Sequence, residues 1–145
     1  MGDVVVGVDG SESSKRAAAF GAHEAAIRGT ALRIVCVYQS PAVWMGMGEA
    51  LGSTVSATVS SQDLETYAME TIDDVVSSLP PSPGLHVVKE TIQGHAGPSL
   101  VEASKDADML VVGSRGRGEV GSALLGSVGM HCVHHALCPV VVLPK

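Results

Sequence analysis

A chain of 145 residues, 46% hydrophobic and 17% charged, has the length and apolar content of one folded domain, which excludes a disordered chain. Fifteen acidic against nine basic residues leave a formal net charge of −6, and without a basic run or aromatic–basic interleaving this argues against nucleic acid as the main partner. The opening MGDVVVGVDG lacks the basic start and long apolar stretch of a leader, and no run approaches ~18 apolar residues, so no membrane role and a cytoplasmic location are expected.

Residues 3–8 form a short apolar strand that runs into the turn Asp9-Gly10-Ser11. Ser11 is placed to cap the following helix, with Glu12 in its first turn; Ala18, Ala22, Ala25 and Ala26 recur at helical spacing and Gly29 ends it. Residues 31–38 are a second strand. Pro41, Gly46, Gly48 and Gly52 mark residues 39–60 as a long loop, where Trp44, Met45 and Met47 would serve as a lid or partner surface or else pack over the sheet edge. A second helix carries Leu64, Ala68, Ile72, Val75, Val76 and Leu79 along one side and ends at Pro80-Pro81. Strand three spans 85–92, a short helix starts near Pro98, and 109–113 is a continuously apolar fourth strand. Leu124, Leu125, Val128 and Cys132 mark a fourth helix, and 139–143 the last strand.

Only one Trp, two Tyr and one Phe occur, so the core must come from Ala, Val, Leu and Ile, side chains that suit parallel strands covered on both faces. The alternation of strands and helices predicts an α/β fold with one parallel sheet and right-handed crossovers, read as a doubly wound, five-stranded sheet in the order 3-2-1-4-5. Ligands of such sheets sit outside the carboxyl ends of the strands where the winding reverses, here between strands one and four. Cys36, Cys132 and Cys138, odd in number and unpatterned, read as buried reduced thiols and not as a disulfide framework.

The segment GSRGRGEVGSALLGSV (113–128) leaves the fourth strand. Gly113, Gly116 and Gly126 let backbone N–H groups converge on an anion, and helix starts near Gly121-Ser122 and Gly126-Ser127-Val128 add donors and a positive dipole end. Arg115 and Arg117 supply positive charge for a polyphosphate. A loop rich in glycine merely for turning would not also need the serines and arginines. Gly116-x-Gly118-x-x-Gly121 matches a dinucleotide fingerprint, but no Asp or Glu follows Glu119 to hold a ribose, and no Gly-Lys-Ser/Thr exists for a Walker loop.

The spacing Gly113-x2-Gly116-x9-Gly126-Ser127, the opening Val6-Gly7-Val8-Asp9-Gly10-Ser11 and the stretches VVGSRG, LLGSV and HHALCPVVVLPK resemble the nucleotide-binding members of the universal stress protein family. The resemblance runs from about residue 3 to the end and is weakest over 39–60. It implies that Asp9 and the Gly7 backbone face adenine and ribose, and that Val37 pairs with adenine through its main chain. Gly113, Ser114 and Gly116 would lie against ribose and α-phosphate, with Arg115, Arg117 and Gly118 in the same loop. Gly126, Ser127 and Val128 would hold the β- and γ-phosphates of ATP, with Mg²⁺ carried on them. The family pattern has Pro two residues after the Gly aligned with Gly94; here that residue is Ala96.

The implied role is stress regulation without rapid turnover, since no carboxylate beyond Glu119 stands in the phosphate loop to activate water. A slow ATP hydrolase or adenylyl-transferring enzyme, and a nucleotide-free dimerisation module, are the competing readings. His131 and His135 lie i, i+4 on one helix face, a ligand pair by spacing, but with no acid nearby they read as structural. A Ser-His-Asp catalyst lacks its G-x-S-x-G turn. The last strand, apolar and at a sheet edge, predicts a homodimer paired through it.

Overall fold

A computed structural model describes residues 2–43, 46, 59–115 and 125–144. In chain order these form β1 (Val4–Gly7), α1 (Glu12–Arg28), β2 (Leu32–Tyr38), α2 (Ser61–Ser77), β3 (Val87–Gln93), α3 (Ala96–Ala103), β4 (Met109–Gly113), α4 (Ser127–His135) and β5 (Val140–Leu143). Trp44, Met45 and Met47 lie outside the described residues, as do Gly116, Arg117 and Gly118.

All strands pair in parallel, in the order β3-β2-β1-β4-β5, as expected. The alternation of side chains along each strand divides the apolar residues between two layers. Val4, Val6, Ile34 and Val111 meet the alanines of α1 and Ile72 and Val75 of α2. On the other face Val5, Val35, Leu110 and Val112 meet Leu100 of α3 and Cys132 of α4. Within α1 the buried alanines are Ala17, Ala18, Ala22 and Ala25; Ala26, expected in that stripe, is exposed. At Gly21 an added Cβ would strike Val6 Cγ2, so glycine sets how closely α1 lies on β1.

Caps fix the helix ends. Ser11 Oγ accepts from Ser14 N–H at 3.2 Å, and Gly29 closes α1 at φ 67, where its lack of Cβ matters. Ser60 and Asp63 exchange hydrogen bonds of 3.1 and 3.2 Å in a capping box that starts α2. That helix stops at Ser77 and does not run to Leu79. The ring of Pro80 disfavours helical backbone at Leu79, so the break comes earlier than the apolar spacing implies.

The two sheet edges differ. On β3, Lys89 pairs with Asp73 of α2 at 2.6 Å, and Glu90 accepts from Arg33 Nη2 at 2.6 Å while Nη1 donates to Ala103 O at 3.0 Å. Every residue of β5 is half-buried and apolar. Leu110 N–H donates to Pro139 O and Ser114 N–H to Leu143 O, each at 2.9 Å. In a parallel strand each residue's N–H and C=O point the same way, so Val141 faces β4, whereas Val140 and Val142 direct their backbone groups outward.

Candidate functional site

At the carboxyl edge, β1 and β4 are neighbours whose following helices cover opposite faces, and a cavity of about 130 Å³ opens there. A single water needs only about 10–15 Å³ by this measure, so the space suits an organic ligand. Of the residues expected in a site, Gly7, Asp9, Val37, Gly113, Ser114, Arg115, Gly126 and Val128 line this one cavity. Ser127 opens α4 and is not part of the lining.

Asp9 sits in the turn after β1. Its Oδ1 accepts from Ser11 N–H at 2.9 Å, and its own N–H donates to Ser14 Oγ at 3.3 Å, so the carboxylate is held in place by the start of α1. Ser14, also in the lining, was not among the expected residues. The Ser114 backbone is a clasp: its N–H donates to Leu143 O at 2.9 Å, and its C=O accepts from Gly126 N–H at 2.7 Å. The start of α4 is thereby held against the end of β4.

Among the described residues, the caps of α1 to α4 divide into two kinds. Serine side chains cap α1 and α2, while α3 and α4 have no side-chain cap bond. Both uncapped helices contribute their first turns to the cleft, α3 through Ala96 and α4 through Val128 and Gly129 behind the Gly126 cap. These helix starts bring backbone N–H groups and a positive dipole end to the cleft, which suit an anion.

The glycines serve more than one purpose. A Cβ on Gly113 would meet Ser13 Oγ and come within 2.9 Å of the Ser13 carbonyl carbon, and one on Gly7 would lie 2.6 Å from Leu100 Cδ1. Their absence of side chain is therefore required by close packing of α1 and α3, independently of any ligand. The inner wall is apolar: Val8, Val35, Leu100 and Val112 join Val37. Sequence reading missed these, because a buried Val or Leu beneath a pocket looks the same as one in the core. The signal available was position, since Val35 precedes Val37 on the same face of β2. Asp9 is the single carboxylate among the described lining residues. No group of three or more His, Cys, Asp or Glu among the described residues could hold a metal ion.

The universal stress protein family profile matches residues 1–144. A universal stress protein of Mycobacterium bovis is 36% identical over 141 residues, 97% of this chain and 47% of that protein. One of Mycobacterium tuberculosis is 34% identical over 144 residues, 99% and 48% of the two chains. The chain thus spans about half the length of these curated relatives. Among solved structures, the universal stress protein UspA of Lactobacillus plantarum superposes with a TM-score of 0.73 at 19% identity, covering 98% of this chain and 97% of that one. A universal stress protein in complex with cAMP gives 0.62 at 24% identity, covering 98% and 95%. One from Archaeoglobus fulgidus in complex with dAMP gives 0.60 at 20%, covering 100% and 98%.

Proposed function

The chain belongs to the universal stress protein family, and from that premise we propose that residues 1–145 are one nucleotide-binding domain whose cleft takes ATP, with Mg²⁺ carried on the phosphates. Nucleotide loading then makes it a cytoplasmic stress-response regulator that acts as a homodimer. Among the described residues no helix is long and apolar enough to cross a membrane.

The observation that carries this reading is the uncapped start of α4, clasped beside Ser114 and Arg115 at the mouth of an apolar pocket. An apolar wall suits a base, a carboxylate at Asp9 suits ribose hydroxyls, and the backbone N–H groups at the start of α4 suit phosphates. Gly116, Arg117 and Gly118 complete the proposed phosphate loop. The two neighbours in complex with cAMP and dAMP support an adenine nucleotide. They also favour a second reading, in which a monophosphate is the resident ligand. Hydrolysis has little support, since Asp9, the one described lining carboxylate, is engaged by Ser11.

Mass spectrometry of the ligand released from purified protein separates these readings. ATP supports the proposal, AMP or cyclic AMP supports the monophosphate reading, ADP a hydrolase, and an empty protein that takes up no nucleotide refutes them all. Asp9→Ala should weaken ATP binding roughly 10-fold or more, from the loss of a bond to a charged acceptor worth about 1.5–3 kcal/mol. Calorimetry with inorganic triphosphate is the control: an equal loss there would show that Asp9 does not read the nucleoside.

A further inference from the structure

Outside the cleft, the second half of α4 brings His131 and His135 together, with ring centroids 4.4 Å apart and planes inclined by 39°. His131 is half-buried and His135 exposed. The Cβ, Cγ and Cδ2 atoms of His131 rest on Gly97 of α3, where an added Cβ would lie 2.8–3.0 Å from them. The bare glycine lets this ring settle against α3 and holds it there. One imidazole is thus oriented by packing, while the other, on the solvent side, is free to adjust to it.

We propose that His131 and His135 form a two-imidazole chelate for a late first-row divalent metal, zinc or copper. Three observations carry it. Histidines at i and i+4 share one helix face, the spacing by which helical metal sites present two imidazoles to one ion. His135 stands in the last turn of α4, at the negative end of its dipole, which favours a cation. One ring is already fixed, which reduces the ordering needed on binding.

The neighbouring candidates drop out on position. Cys132 is fully buried in the core against the sheet, so its sulfur is not presented to an ion at the helix surface. His134 is exposed, but its ring stands 6.3 Å from that of His135. Two protein ligands leave the remaining positions to water, which makes the site exchangeable and not a structural closed one. Neither His131 nor His135 lines the nucleotide cleft, so the chelate does not depend on the nucleotide reading.

The test is titration of tag-free full-length protein with Zn²⁺, and separately Cu²⁺, in buffer containing excess Mg²⁺. It is followed by calorimetry and by the histidine ring resonances in NMR spectra. The wild type should bind one ion per chain, copper more tightly than zinc, with the His131 and His135 resonances moving together. His135→Ala, at an exposed position that leaves the fold intact, should lose roughly tenfold or more in affinity, since even ligand-orienting partners carry that much. His134→Ala should bind as the wild type does. An affinity unchanged in His135→Ala, an equal loss in His134→Ala, or ring resonances that stay still would overturn the proposal.

Discussion

Gly126→Asp is expected to abolish ATP binding at working concentrations while the protein stays folded. Gly126 has φ −71 and ψ 168, an extended conformation that any residue adopts, and as the N-cap of α4 it supplies no side-chain acceptor. Aspartate is among the best residues for that position: its carboxylate would accept the N–H groups of Val128 or Gly129. Those are the donors proposed for the phosphates. The new carboxylate would also bring a like charge about 4 Å from a phosphate oxygen, a repulsion of about 4 kcal/mol at an effective dielectric constant of 20. Affinity should fall by roughly a hundredfold or more, while thermal stability holds or rises by a few tenths of a kcal/mol. Gly126→Ala, which adds bulk without charge, should bind far better than the aspartate variant. Calorimetry giving wild-type ATP affinity for a folded Gly126→Asp protein would remove α4 from the site.

The proposed dimer makes two proline variants diverge. Val140 and Val142 point their backbone groups away from β4, because Pro139 O and Leu143 O accept from it. The edge they present has no charge, unlike β3 with Lys89 and Glu90. In the segment that leads into the strand, Met130 and Val133 of α4 are 49% and 52% exposed and Leu137 is 79% exposed. Such an edge invites pairing with a second copy, and flanking Pro139 and Pro144 keep the ladder short. Val142→Pro removes an outward donor and should yield a folded monomer in sedimentation at micromolar concentration. Val141→Pro removes a donor to β4 instead, so it should lower stability by roughly 1–3 kcal/mol. A monomeric wild type, with and without ATP, would falsify the dimer.

Much of the fold was legible in the sequence because its signals are local. The apolar runs of β1 and β4, Ser11 and Gly29 at the ends of α1, and the alternation of strand and helix depend on neighbours within a few residues. With the right-handed crossover rule they were enough to predict a parallel sheet and to locate the cleft between β1 and β4, while the order 3-2-1-4-5 went beyond what those local signals fix. The glycine and serine pattern likewise led to Gly113, Ser114 and Gly126.

What only the tertiary structure decided concerns residues distant in sequence. Val35, Leu100 and Val112 line the pocket because three elements converge there, while their apolar character alone says no more than core. Gly113 lacks a side chain because Ser13 approaches it, a contact no spacing rule contains. The clasp from Gly126 to Ser114 depends on where β4 ends relative to α4. The direction of each β5 peptide, which separates Val141 from Val142, follows from register with β4. In each case the deciding quantity is a distance between separate elements, set by packing after the chain has folded.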